Sequence, residues 1–114
     1  MRIPNCEHAF VDLIKLEGYA LALDHPVGKH KARVFLSALG LEKADAPKLK
    51  AHLLKAVESI DATEAESDSF GTRYNILSTM TNQGKTAQIL SAWIIRTGED
   101  FPRLVSCYIA GEQK

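Results

Sequence analysis

The residues best suited to chemistry crowd into one short stretch. His25, Lys29, His30, Lys31 and Arg33 fall within nine positions. Imidazole is the side chain whose ordinary ionisation lies closest to neutrality, so His25 and His30 are candidates to give or take a proton. Lys31 is a candidate to hold charge against a bound anion. Further along, Arg73 and Arg103 could add positive charge, and Ser91 a hydroxyl for a phosphate oxygen. Trp93 and Tyr108 offer aromatic faces on which a nucleobase could stack, with Lys29 and Arg33 as further backbone contacts. Each has a plainer alternative. His25 precedes Pro26 and could cap a turn. His30 could be ordinary surface, Arg73 could pair with a neighbouring acidic stretch, and Trp93 could be core. His8 and His52 have no comparable company.

Other chemistries lack their residues. Cys6 and Cys107 are 101 positions apart, with no CxxC and no His/Cys pair at zinc-ligand spacing, so no metal and no cofactor is expected. Gly-rich phosphate loops and nucleophile elbows are absent. Cys107 reads as packing rather than as a nucleophile. No apolar run approaches the length of a membrane span and the first residues form no secretory signal, so a cytoplasmic protein without membrane contact is expected.

The 114 residues carry 14 basic and 14 acidic side chains, which excludes a generally basic nucleic-acid binder. The balance is a cancellation. Residues 24–55 hold seven Lys or Arg against three acids, with three of the four histidines; residues 56–70 hold five acids and no base. An anionic ligand would therefore be met locally.

The elements that must position these residues change type midway. Leu16, Tyr19, Ala20 and Leu23 recur at helical spacing, which predicts a helix over 15–23, closed by Asp24-His25-Pro26. Ala32, Phe35, Leu36 and Leu39 form the apolar stripe of a second helix from about residue 28, ending at Gly40. Gly28 lies at the centre of that stripe and Lys31 at its edge, about 40° from Phe35. Lys31 must then snorkel to water or point into a lined cleft. A third helix is predicted over 46–59, with Asp45 as N-cap and Pro47 in its first turn. Residues 61–69, acidic and small, read as a loop. Strands follow over 70–81, 86–96 and 103–110, joined by Asn82-Gln83-Gly84 and Thr97-Gly98-Glu99-Asp100. The expected fold is a single α+β domain over 1–114, with a helical half (1–60), an acidic loop (61–69) and a sheet half (70–110). Three helices would pack on one face of a three- or four-stranded antiparallel meander. Leu90, Ala92 and Ile94 are expected to face the helices. That leaves Ser91, Trp93, Ser106 and Tyr108 on an open face able to take a base, or to form a second core or a dimer interface. The last strand could also be an edge that pairs with a second copy.

Nearly the whole chain resembles a bacterial family of small uncharacterised domains. The resemblance rests on Lys15-Leu16-x-x-Tyr19-x-Leu21, on His25-Pro26-x-Gly28-x-x-Lys31-Ala32-x-x-Phe35 with Leu39-Gly40, on Phe70-Gly71-x-Arg73-Tyr74, on Ala92-Trp93-Ile94 and on Pro102-Arg103-Leu104. Members occur at the C-termini of polymorphic toxins and as standalone toxin–antitoxin-like proteins; the resemblance carries no biochemical activity. A more distant similarity is to colicin D and the barnase–EndoU–colicin–RelE superfamily of metal-independent ribonucleases, through Lys29-His30-Lys31 and Ser91-Ala92-Trp93. That similarity implies attack of a 2′-hydroxyl on the adjacent phosphate, with His25 or His30 as acid or base. Lys31, Arg73, Arg103 and Ser91 would stabilise the phosphate, and Trp93 would stack. The partners then expected are RNA and a small antitoxin-like or immunity protein. A non-catalytic protein-binding module of a toxin–antitoxin or regulatory pair is the alternative.

Overall fold

The computed structural model describes residues 1–110. After a 3-10 turn at Cys6–His8, Asp12 accepts a hydrogen bond from the Ile14 N–H and starts helix α1, Leu13–Lys15, which widens into a π-helical segment, Leu16–Ala20. This element starts and ends earlier than the apolar spacing predicts. The Asp12 cap sets its beginning, and the bond from the Leu21 N–H to the Leu16 carbonyl closes its end, leaving Leu23 exposed. Helix α2 is Lys29–Leu39 and buries Ala32, Phe35 and Leu39. A 3-10 turn at Lys43–Asp45 leads into α3, Ala46–Ser59, whose buried face is Ala46, Leu49, Leu53, Ala56 and Val57. The Asp45 carboxylate does not cap α3. It turns back to accept the Glu42 N–H.

Four antiparallel strands follow in spatial order β1-β2-β3-β4: β1 Thr63–Asp68, β2 Gly71–Asn82, β3 Lys85–Arg96 and β4 Arg103–Ile109. The long β2–β3 hairpin turns on Gln83 and Gly84, both at positive φ, as a two-residue turn matched to strand twist requires. The helices come first and cover one face of the sheet, so the fold is α+β.

Two expectations are corrected. Residues 61–69 are not a loop: Thr63–Asp68 form an edge strand paired with β2, through a bulge between Glu64 and Ser67. Every residue of β1 is exposed, so no apolar alternation marks it. The sheet faces are also exchanged. Tyr74, Ile76 and Ser78 of β2, Ile89, Ser91 and Trp93 of β3, and Leu104, Cys107 and Ile109 of β4 share the inner face with the helices. The outer face carries Arg73, Asn75 and Leu77, then Leu90, Ala92 and Ile94, then Arg103, Ser106 and Tyr108. A bulge at Val105 lets Leu104 and Cys107, three positions apart, both point inward. Trp93 dominates the core. Its indole N–H donates to Ser91 Oγ at 2.9 Å, and that hydroxyl donates to the Ile76 carbonyl, so the buried serine and tryptophan satisfy each other.

The free edge of β4 is partly covered. Phe10 forms a parallel bridge with Arg103, its N–H donating to the Pro102 carbonyl and its carbonyl accepting the Leu104 N–H.

Candidate functional site

The sequence candidates separate into three groups. Ser91 and Trp93 are 0% exposed, buried in the core beyond a ligand's reach. Lys29, His30 and Arg33 lie on the outward side of α2; His30 and Arg33 are exposed, and none of the three makes a side-chain hydrogen bond or ion pair among the described residues. The remaining five gather at two points along β4.

The first point joins the loop before α2 to the far end of β4. His25 Nδ1 accepts hydrogen bonds from the Val27 and Gly28 N–H groups, both at 2.9 Å, and so caps the start of α2. That arrangement places the proton of the neutral ring on Nε2. The His25 ring meets Tyr19 edge to face, centroids 4.8 Å apart. Lys31, half-buried one turn into α2, sets its ammonium 5.6 Å from the Tyr19 ring centre and 5.3 Å from that of Tyr108. Gly28 permits the approach. A β-carbon there would lie 2.5 Å from the Tyr19 carbonyl oxygen, so only glycine lets α2 begin against the π-helical segment. Tyr19 thus organises both polar groups. In the sequence it is marked only by the apolar spacing of the first helix and by the Lys15-to-Leu21 pattern.

The second point lies at the other end of β4, on the outer face. Arg73, Ile94 and Arg103 stand directly opposite one another on β2, β3 and β4, and Arg96 follows two positions after Ile94 on the same face. With Lys15, Phe10 and Asp12 from the N-terminal segment and Leu104 and Val105 from β4, they line a cleft of about 270 Å³. Arg103 gives Nε and Nη2 to the two oxygens of Glu99, at 2.9 and 2.8 Å, and its guanidinium lies over the rings of Phe101 and Phe10, at 4.9 and 5.3 Å. Arg73 Nη1 donates to Asp68 at 2.8 Å, the pairing with the acidic stretch that the sequence allows. Asp68 is held below the usual carboxylate range, first by the Phe70 N–H and then by Arg73; Glu99 is held low chiefly by its bond to Arg103. Lys15 and Arg96 form no ion pair among the described residues. Phe10, Lys15 and Arg96 are not among the sequence candidates: a parallel bridge at Phe10 brings the N-terminal segment to β4, and strand register brings Arg96.

The two points do not share a cleft. Tyr108 and Arg103 lie about four strand steps apart once the bulge is discounted, roughly 13 Å at about 3.3 Å per step.

Elsewhere, burial pushes the Cys107 thiol up to about 12, against a smaller opposing effect of Lys31, which leaves it no nucleophile at neutral pH. His52, expected on the wet side of α3, is half-buried, with Nε2 2.9 Å from the buried Ser78 hydroxyl. Among the described residues no group of three or more His, Cys, Asp or Glu is placed to hold a metal ion, and no helix is long and apolar enough to cross a membrane.

The comparisons with known proteins agree with this architecture. No curated protein matches the chain. A solved structure described as a contact-dependent growth inhibition toxin–immunity protein complex from Klebsiella pneumoniae 342 contains a chain of similar fold. The TM-score is 0.65 at 16% identity, over 94% of this chain and 97% of that one. At that identity the likeness concerns the fold. Residues 2–111 match a single family model, and the chain belongs to the family described as a domain of unknown function, DUF6883.

Proposed function

We propose that this chain is a toxin-like bacterial domain that cleaves RNA without a metal, with its reaction centre at the Tyr19–His25–Lys31–Tyr108 cluster. The observation that carries the reading is the pairing of the Lys31 ammonium with an imidazole of defined tautomer around one tyrosine ring. The fold shared with a chain of a growth-inhibition toxin–immunity complex supports it.

In this reading the 2′-oxygen of a ribose bonds to the adjacent phosphorus and the bond to the 5′-oxygen breaks. The Lys31 ammonium offsets the charge that grows on the phosphorane, and the Nε2–H of the neutral His25 ring donates a hydrogen bond to a phosphoryl oxygen. His30, exposed one position before Lys31 on α2, takes the proton of the 2′-hydroxyl and, as the imidazolium, returns it to the departing 5′-oxygen. Arg73 and Arg103 stand about 13 Å along β4, too far to serve the same phosphorane. Incubation of total tRNA with the purified chain in excess chelator tests this reading: fragments ending in 2′,3′-cyclic phosphate support it, and intact RNA contradicts it.

A second reading is a module that binds an immunity or antitoxin protein without catalysis. The uncovered sheet face favours it, since Leu77 is 48% exposed and Val105 and Tyr108 stand exposed nearby. A chain that binds such a partner and leaves tRNA intact would support this second reading over the first.

A further inference from the structure

We propose that the cleft at the start of β4 is a phosphate-binding subsite, separate from the cluster around Lys31. It stands independently of the cleavage reading, because its geometry needs only an anion. Its wall presents four cations, Lys15, Arg73, Arg96 and Arg103, against one carboxylate, that of Asp12. The Asp12 carboxylate already accepts the Ile14 N–H.

Two of the cations are set in advance. Glu99 takes Nε and Nη2 of Arg103 on one side of the fork while Phe10 and Phe101 hold its plane, and Asp68 takes one N–H of Arg73. A guanidinium has five N–H donors. Three therefore remain on Arg103 and four on Arg73, with much of the side-chain ordering already accomplished by these pairings. The strand register fixes their separation: their backbones lie about 9–10 Å apart across β3, with the apolar Ile94 between them as a floor. Long side chains from both walls can close on one tetrahedral oxyanion over that floor. Asp68, Glu99 and Asp12 offset three of the four cations, so Lys15 and Arg96, which have no ion pair among the described residues, carry the one positive charge left over. Planar forks flanked by aromatic rings suit a phosphate that carries a nucleoside, with Phe10, itself exposed, beside it.

The test is a titration of the isotope-labelled chain, followed by amide shifts at Phe10, Arg96 and Val105. The probes are inorganic phosphate, adenosine 5′-monophosphate and a six-residue single-stranded oligodeoxynucleotide, which lacks the 2′-hydroxyl. Saturable shifts at those amides are expected. Lys15→Gln and Arg96→Gln, both at exposed positions, each weaken binding by roughly tenfold. Each also lowers the slope of oligonucleotide affinity against salt by about one. Lys43→Gln, outside the cleft, does neither. Inorganic phosphate binding as tightly as the oligonucleotide identifies a free phosphate ligand; tighter binding of the oligonucleotide identifies a strand backbone. Either result supports the subsite. Failure of all three probes to saturate, or equal weakening by Lys43→Gln, overturns it. Phosphate binding by a chain that leaves tRNA intact overturns the proposed cleavage alone.

Discussion

The Lys31 ammonium lies 5.3 Å from the centre of the Tyr108 ring, joining α2 to the outer face of the edge strand β4. The contact links a helix on the inner face to a residue whose strand partner, Leu90, is on the outer face. A double-mutant cycle with Lys31→Met and Tyr108→Leu measures it. A coupling of about 0.5–1 kcal/mol is expected, the range of a partly exposed cation–π pair. Additive effects would show that the two side chains merely lie near each other.

Gly28→Ala sets a β-carbon against the Tyr19 carbonyl oxygen, backbone that cannot swing aside. A loss of about 1–3 kcal/mol in urea unfolding is expected, the range of overpacking. The His25 resonances should move with it, because the Gly28 N–H is one of the two donors to Nδ1. Gly18→Ala is the control, since its added methyl meets open space. Equal losses for the two variants would remove the close approach as the cause.

Stability should fall on mild acidification through His52. Burial, and then the neighbouring Lys55, hold its folded pKa below the ordinary imidazole value of 6.5. Between the two values the unfolded chain binds a proton that the folded chain refuses, so stability rises with pH across that window and declines below about 6.5. Denaturation midpoints at pH 5 and pH 7.5 should differ less in His52→Gln than in the natural sequence. Asp68 and Glu99 act lower down. Their depressed pKa values mean that their contribution is present above the ordinary carboxylate range and fades only as pH falls through the folded values.

Cys107 should react with a thiol reagent only when the protein opens. It faces the core opposite Ser91, and its thiol is pushed up to about 12. Its labelling rate should follow denaturant concentration in parallel with global unfolding, while Cys6, partly buried, labels in the native state. Native-state labelling of Cys107 at the Cys6 rate would contradict its burial.

The helices were legible because each carries one apolar stripe. Phe35 and Leu39 locate α2, and Leu49, Leu53 and Val57 locate α3. β1 was not legible: an edge strand that buries nothing has no reason to alternate, and Glu64, Glu66 and Asp68 resemble a solvated loop. The exchange of sheet faces has a chemical cause. Both side-chain sets of β3 are largely apolar, and Ser91 argues for solvent unless one knows that Trp93 and Ile76 satisfy its hydroxyl. Of the candidate residues, His25 and Lys31 come together because they are six positions apart across a helix start. The partnership of Arg73 and Arg103 with Lys15 and Arg96 depends on strand register and on the Phe10 bridge, neither of which has a local signature.

The central claim is that Lys31 and His25 act on RNA, and the direct measurement is the single-turnover cleavage rate of tRNA in chelator for the natural chain beside Lys31→Ala and His25→Ala. Cyclic-phosphate ends are expected from the natural chain, with rates lower by about 10²–10³ in each variant while circular dichroism confirms the fold. Intact tRNA with the natural chain, or equal rates in all three proteins, would contradict it.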